Sequence, residues 1–157
     1  MLHIYRCRVV SLLVQWHPPT HQGHVGAAGI VGSIYHWGQG VAIDYARAMT
    51  AYKVGAQGGD AGCQYQVGRL YYDGDAVDAN HAQALLWLEK AAAQDMPDAV
   101  GELGFMYARG DGVTPSWRRA RQYMERAVKL RCFKSVTNLQ NLTGDIQHVM
   151  PSIHSTC

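Results

Sequence analysis

The feature that most constrains this chain is a self-match at a fixed offset of thirty-six residues, repeated without insertion. The stretches "VGSIYHWGQGV" (31–41), "VGRLYYDGDAV" (67–77) and "LGFMYARGDGV" (103–113) align so that Gly32, Gly68 and Gly104 share one position. Tyr35, Tyr71 and Tyr107 share a second, and Gly38, Gly74 and Gly110 a third. The later halves keep step through Ala48, Ala84 and Ala120, then Gly55, Ala91 and Ala127. A catalytic loop has no reason to recur three times at one spacing. A structural unit that stacks on copies of itself does.

Each unit reads as helix, tight loop, helix. The first helix carries apolar positions at helical spacing: Ala27, Ile30, Val31, Ile34, Tyr35; then Cys63, Val67, Leu70, Tyr71; then Ala99, Leu103, Met106, Tyr107. Gly38, Gly74 and Gly110 stand where a left-handed residue ends a helix. Asp44, Asn80 and Ser116 share the position before the second helix, and all three are good N-caps. Gly32, Gly68 and Gly104 fall inside the buried face of the first helix. Together they forgo roughly 3 kcal/mol of helix propensity, so they are expected to let the second helix approach closely enough to offset it. Val41, Val77 and Val113 are expected to tuck beneath the helix pair.

A hairpin of this size cannot bury its apolar face alone, but stacked neighbours can. The expected fold is all-α, a right-handed α/α superhelix, or solenoid, of about three 36-residue repeats plus a C-terminal closing helix. The array spans 22–143, with units at about 27–62, 63–98 and 99–134 and the closing helix at 134–143. Residues 1–21 read as a degenerate cap or a truncated preceding repeat, and 144–157 as a tail. Val9, Leu12, Leu13 and Trp16 fall on one face of a short amphipathic helix, which suits the N-terminus better than a signal peptide does.

The residues resemble the Sel-1-like repeat family. The second unit carries the pattern as Val67-Gly68, Tyr71, Gly74, Val77, Asn80, Ala84, Trp87 and Ala91-Ala92. The third has Leu103-Gly104, Tyr107, Gly110, Gly112, Val113, Ala120, Tyr123 and Ala127. The first has Val31-Gly32, Tyr35, Gly38, Gly40, Val41, Asp44, Ala48 and Tyr52. The resemblance implies an α/α superhelix serving as an adaptor or scaffold that assembles protein complexes in signalling and in quality control at the endoplasmic reticulum. Ala76 departs from the pattern at the second loop glycine, Ala51 at the position of Trp87, and Met96-Pro97 at one inter-unit turn. Some secreted bacterial members are cysteine-rich and have been assigned penicillin binding or β-lactamase activity. Cys7, Cys63, Cys132 and Cys157 show no matching spacing.

Functional candidates follow from the positions off the core face of the first helix. His36, Trp37, Tyr65, Arg69, Tyr72, Phe105 and Arg109 would line the concave surface, where aromatics beside arginines suit a peptide groove. Packing of Trp37 and Tyr72 between units is the competing reading. The expected function is therefore a non-catalytic protein-protein interaction scaffold with a protein or peptide partner, no cofactor and no metal. Nucleophile elbows, Ser-x-x-Lys, paired catalytic carboxylates and Walker loops are absent. A penicillin-recognising hydrolase is the first alternative. The second is a basic module for nucleic acid or acidic surfaces, because Arg118, Arg119, Arg121, Arg126, Lys129, Arg131 and Lys134 hold half of the fourteen basic residues. On a terminal unit such a run is more commonly a solvated face, and the net charge of +2 does not by itself imply nucleic acid.

"HPPTHQGH", with His17, His21 and His24, reads as a solvated linker rather than a zinc site. "DGDAVDAN" (73–80) lacks the glycine and terminal glutamate of a calcium loop. The cysteine pattern favours a reducing, cytoplasmic location, and the sequon at Asn141 matters only in a secretory one. No apolar run is long enough to insert in a membrane.

Overall fold

The computed structural model describes residues 25–130. They form six helices: α1 (Val25–Trp37), α2 (Tyr45–Gln57), α3 (Ala61–Asp73), α4 (His81–Ala93), α5 (Pro97–Arg109) and α6 (Trp117–Lys129). No strand occurs among the described residues. The helices pair as α1–α2, α3–α4 and α5–α6, and each second helix packs on the next first helix. The chain is an all-α helical solenoid. The N-terminal amphipathic helix, the three histidines of the linker, the other three cysteines, Asn141 and the closing helix lie outside the described residues.

The sharp turn within each unit rests on one recurrent geometry. Gly38, Gly74 and Gly110 take φ of 64°, 78° and 84°, a left-handed conformation that costs a residue with a side chain. The backbone carbonyl of each repeat tyrosine then accepts from the amide of the cap residue. These bonds are Asp44 to Tyr35 at 2.9 Å, Asn80 to Tyr71 at 2.8 Å and Ser116 to Tyr107 at 2.8 Å. The cap side chains accept from Arg47, Gln83 and Arg119 amides at 2.9, 3.0 and 3.4 Å. Ala76 keeps an ordinary negative φ, unlike Gly40 and Gly112, so the second loop follows a different path.

The mid-helix glycines sit under the second helix of their own unit. A Cβ on Gly32 would lie 2.5 Å from the Tyr52 ring, on Gly68 2.8 Å from Leu88, and on Gly104 2.8 Å from Met124. The three partners again share one register position. Between units, Cys63 occupies the space left free by Gly55, where the next joint places Ala99 against Ala91. Burial pushes the Cys63 thiol up to about 12, with Asp60 adding to the effect, so this side chain behaves as a core residue. The core has one cluster around α2 and α3, with Met49, Tyr52, Val67 and Leu70. A second spans α3 to α6, with Tyr65, Leu88, Val100, Leu103 and Met106.

Two expectations are corrected. Ile30 is 52% exposed; its register position holds Gln66 and Glu102 in the other units, which marks it as solvent-facing. Val77 is 39% exposed and Val41 and Val113 are only half-buried, because the tyrosine–cap bond already closes the loop without an apolar anchor.

Candidate functional site

The first helices α1, α3 and α5 bring the proposed contact residues to one side of the array in unequal states. Trp37, at the end of α1, is 64% exposed, with its ring centre 4.5 Å from that of His36. His36 is half-buried and also meets Tyr45 at 5.4 Å and Tyr52 at 6.0 Å. Its Nδ1 is buried without a hydrogen-bond partner. Burial, helped by the Arg69 charge, holds its pKa below the usual histidine value, while Asp75 and Asp73 oppose the shift.

In α3, Arg69 donates to one carboxylate oxygen of Asp73 from Nη2 at 2.9 Å and from Nε at 3.2 Å. It also donates to the Tyr65 hydroxyl at 3.5 Å. A ligand at Arg69 must compete with that internal pair. Tyr65 itself is 5% exposed and belongs to the core cluster, so it shapes this side from beneath and offers no ring face. Tyr72 is committed across the joint between units: its hydroxyl donates to Asp111 at 2.7 Å and its ring stacks on His81 at 4.8 Å. Burial raises the Tyr72 pKa and Asp111 adds to the rise, while Arg109, beside the hydroxyl, opposes it. Tyr72 thus follows the inter-unit packing reading, whereas Trp37 stands out in solvent. In α5 the Arg109 guanidinium lies 5.9 Å from the Phe105 ring centre. Arg109 is exposed and has no ion-pair partner among the described residues.

The face therefore offers two open ends, Trp37 with His36 and Phe105 with Arg109, joined by a self-paired middle. Both ends combine a flat ring with a nitrogen-bearing neighbour, a combination suited to holding apolar and carboxylate groups of a peptide. Among the described residues no three of His, Cys, Asp and Glu come together as metal ligands would. No described helix is long and apolar enough to cross a membrane. Sequence reasoning missed a hollow of about 450 Å³ lined by Glu89, Tyr107, Arg119, Gln122, Tyr123 and Arg126. Its signal was available in the register, since Tyr35–Arg47 and Tyr107–Arg119 occupy the same two positions.

Three consecutive stretches, 27–60, 61–96 and 97–131, match the family model described as Sel1 repeat. The fold is similar to the crystal structure of a protective antigen present in uropathogenic Escherichia coli strains, described as displaying an SLR fold. That similarity has a TM-score of 0.73 and 31% identity over 79% of this chain and 27% of the antigen. A Sel1 repeat protein from Oxalobacter formigenes is similar with a TM-score of 0.72 and 28% identity over 85% of this chain and 55% of that one. The chain thus spans about a quarter and about half of these two proteins. No curated protein matches it.

Proposed function

The chain belongs to the Sel1 repeat family, whose members are typically protein-interaction scaffolds, and on that premise we propose that it is a non-catalytic module docking a peptide or protein on its first-helix side. The observation that carries this reading is the pair of open ends. Trp37 exposes a large ring, and Arg109 beside Phe105 lacks a carboxylate partner among the described residues. Rigid aromatics and arginines are the residue types that dominate interface energetics. Contact of α1 with α3 supports placing the first helices on the inner side of the curve.

The test compares partner recovery by the intact chain and by Trp37→Ala/Phe105→Ala/Arg109→Ala in an affinity pull-down. All three side chains are at least partly exposed, so the variant is expected to fold. Loss of a partner recovered by the intact chain is the expected result. Equal recovery by both proteins contradicts this assignment.

A further inference from the structure

We propose that the second-helix side of the array carries a separate groove for an acidic peptide segment of a partner protein. Three cations, one each on α2, α4 and α6, stand over aromatic rings. The Lys53 ammonium lies 5.3 Å from the centre of the Tyr71 ring, and that of Lys90 lies 4.1 Å from Trp87. The Arg119 guanidinium lies 5.4 Å from Tyr107. Tyr71 and Trp87 are packed from below against the core, so they are fixed platforms for the cations above them. Lys53, Lys90 and Arg119 have no ion-pair partner among the described residues. Each is positioned by a ring and, among the described residues, meets no carboxylate.

The aromatic floor of the groove is shared by two units. The hollow between α4 and α6 is floored by Tyr107 and walled by Glu89, Arg119, Gln122, Tyr123 and Arg126. One unit earlier the same register positions hold Lys53, Tyr71, Gln83, Leu86, Trp87 and Lys90. The aromatic pair therefore recurs at the spacing of the units, as Tyr71 with Trp87 and Tyr107 with Tyr123, whereas the cations beside it change position: Lys53 aligns with Glu89, Gln83 with Arg119, and Lys90 with Arg126. Within the hollow the Tyr107 and Tyr123 rings stack in parallel, 5.4 Å apart and 9° from coplanar. Arg126 is already held by the Ala92 carbonyl at 2.7 Å and by Asp95. Among the described residues the Arg119 side chain donates only a long bond of 3.4 Å to the Tyr107 hydroxyl, which leaves its other N–H groups to take a carboxylate.

A carboxylate-bearing peptide fits better than a nucleic acid on two counts. Bases bind single-strand grooves by stacking on open aromatic faces, and here cations already stand over Tyr71, Trp87 and Tyr107. Glu89 in the wall of the hollow opposes phosphate and carboxylate alike, but it can accept from a peptide N–H, which a nucleic-acid backbone does not offer.

The test is fluorescence anisotropy of the intact chain with a short labelled poly-glutamate peptide, a poly-glutamine peptide and an oligothymidylate. Poly-glutamate is expected to bind, with affinity falling as salt rises, and poly-glutamine is not. Lys90→Gln/Arg119→Gln is expected to weaken binding about tenfold, as the loss of two ring-positioned ion pairs implies. Arg118→Gln/Arg121→Gln, which changes net charge equally at two exposed cations that do not line the hollow, is expected to leave binding unchanged. Equal weakening by both variants means that net charge alone is at work and overturns the proposal. Oligothymidylate binding tighter than poly-glutamate, or no poly-glutamate binding, overturns it too. Helical circular dichroism of both variants confirms that each loss is read on folded protein. None of these outcomes depends on the first-helix partner.

Discussion

A Cβ added at Gly32 meets the rigid ring of a buried tyrosine, whereas one added at Gly104 meets the flexible end of Met124. That difference decides the sign of an alanine substitution at otherwise equivalent positions. Either change gains about 1 kcal/mol of helix propensity. At Gly32 the overpacking outweighs it, and Gly32→Ala is expected to destabilise the chain by about 1–2 kcal/mol net. Gly104→Ala is expected to be near neutral because the thioether can move aside. Denaturation midpoints of the two variants check the ranking, and equal midpoints would contradict it. His36 supplies a second residue-scale prediction. Its folded pKa lies below the ordinary 6.5, so the unfolded chain binds the proton more readily. The stability it contributes is complete above the unfolded value and is lost as pH falls through the folded one. From about pH 7 to about pH 5, melting temperature is expected to fall more for the intact chain than for His36→Phe. Identical pH profiles would contradict a shift set by burial of the imidazole, with Arg69 assisting and Asp75 and Asp73 opposing.

At the scale of helices, the joint between α2 and α3 differs from that between α4 and α5 by one exchange of volume. Gly55 admits the Cys63 sulfur, and the later joint fills the same two positions with Ala91 and Ala99. Gly55→Ala alone is expected to cost about 1–3 kcal/mol, and Gly55→Ala/Cys63→Ala to recover most of it. Additive effects in a double-mutant cycle would contradict the pairing. Much of this level was legible in the sequence. The register fixed six helices, the glycine turns and the caps Asp44, Asn80 and Ser116, because each requirement recurs with a different residue satisfying it. The inter-unit turn was less legible because it does not repeat. Asp60 caps α3 with a 2.6 Å bond to the Cys63 amide, while Met96 gives no side-chain bond and Pro97 opens α5, where its missing N–H is harmless. Asp95 adopts a φ of 57° at the position where the earlier turn uses Gly59. The site was legible only as a set of positions. The bond from Tyr72 to Asp111 and the burial of Tyr65 depend on how one unit sits on the next, which a single repeat does not encode.

For the whole molecule, the two candidate faces exist only because the hairpins shelter one another's apolar sides and hold their helices in register. In such an array stability is a sum of unit and nearest-neighbour terms, so a defect at a joint must be felt on both sides of it. Val100 is fully buried and lies in one cluster with Ala84, Leu88 and Ala91 of the preceding helix. The joint also carries the Tyr72 to Asp111 bond and the bonds from Arg126 to the Ala92 carbonyl and to Asp95. Site-resolved amide hydrogen exchange of the intact chain and of Val100→Ala tests this coupling most directly. Stacked units predict that protection falls together in α4 and α5. A loss confined to α5 and α6, with α4 exchanging as before, would contradict the mutual burial on which both faces rest.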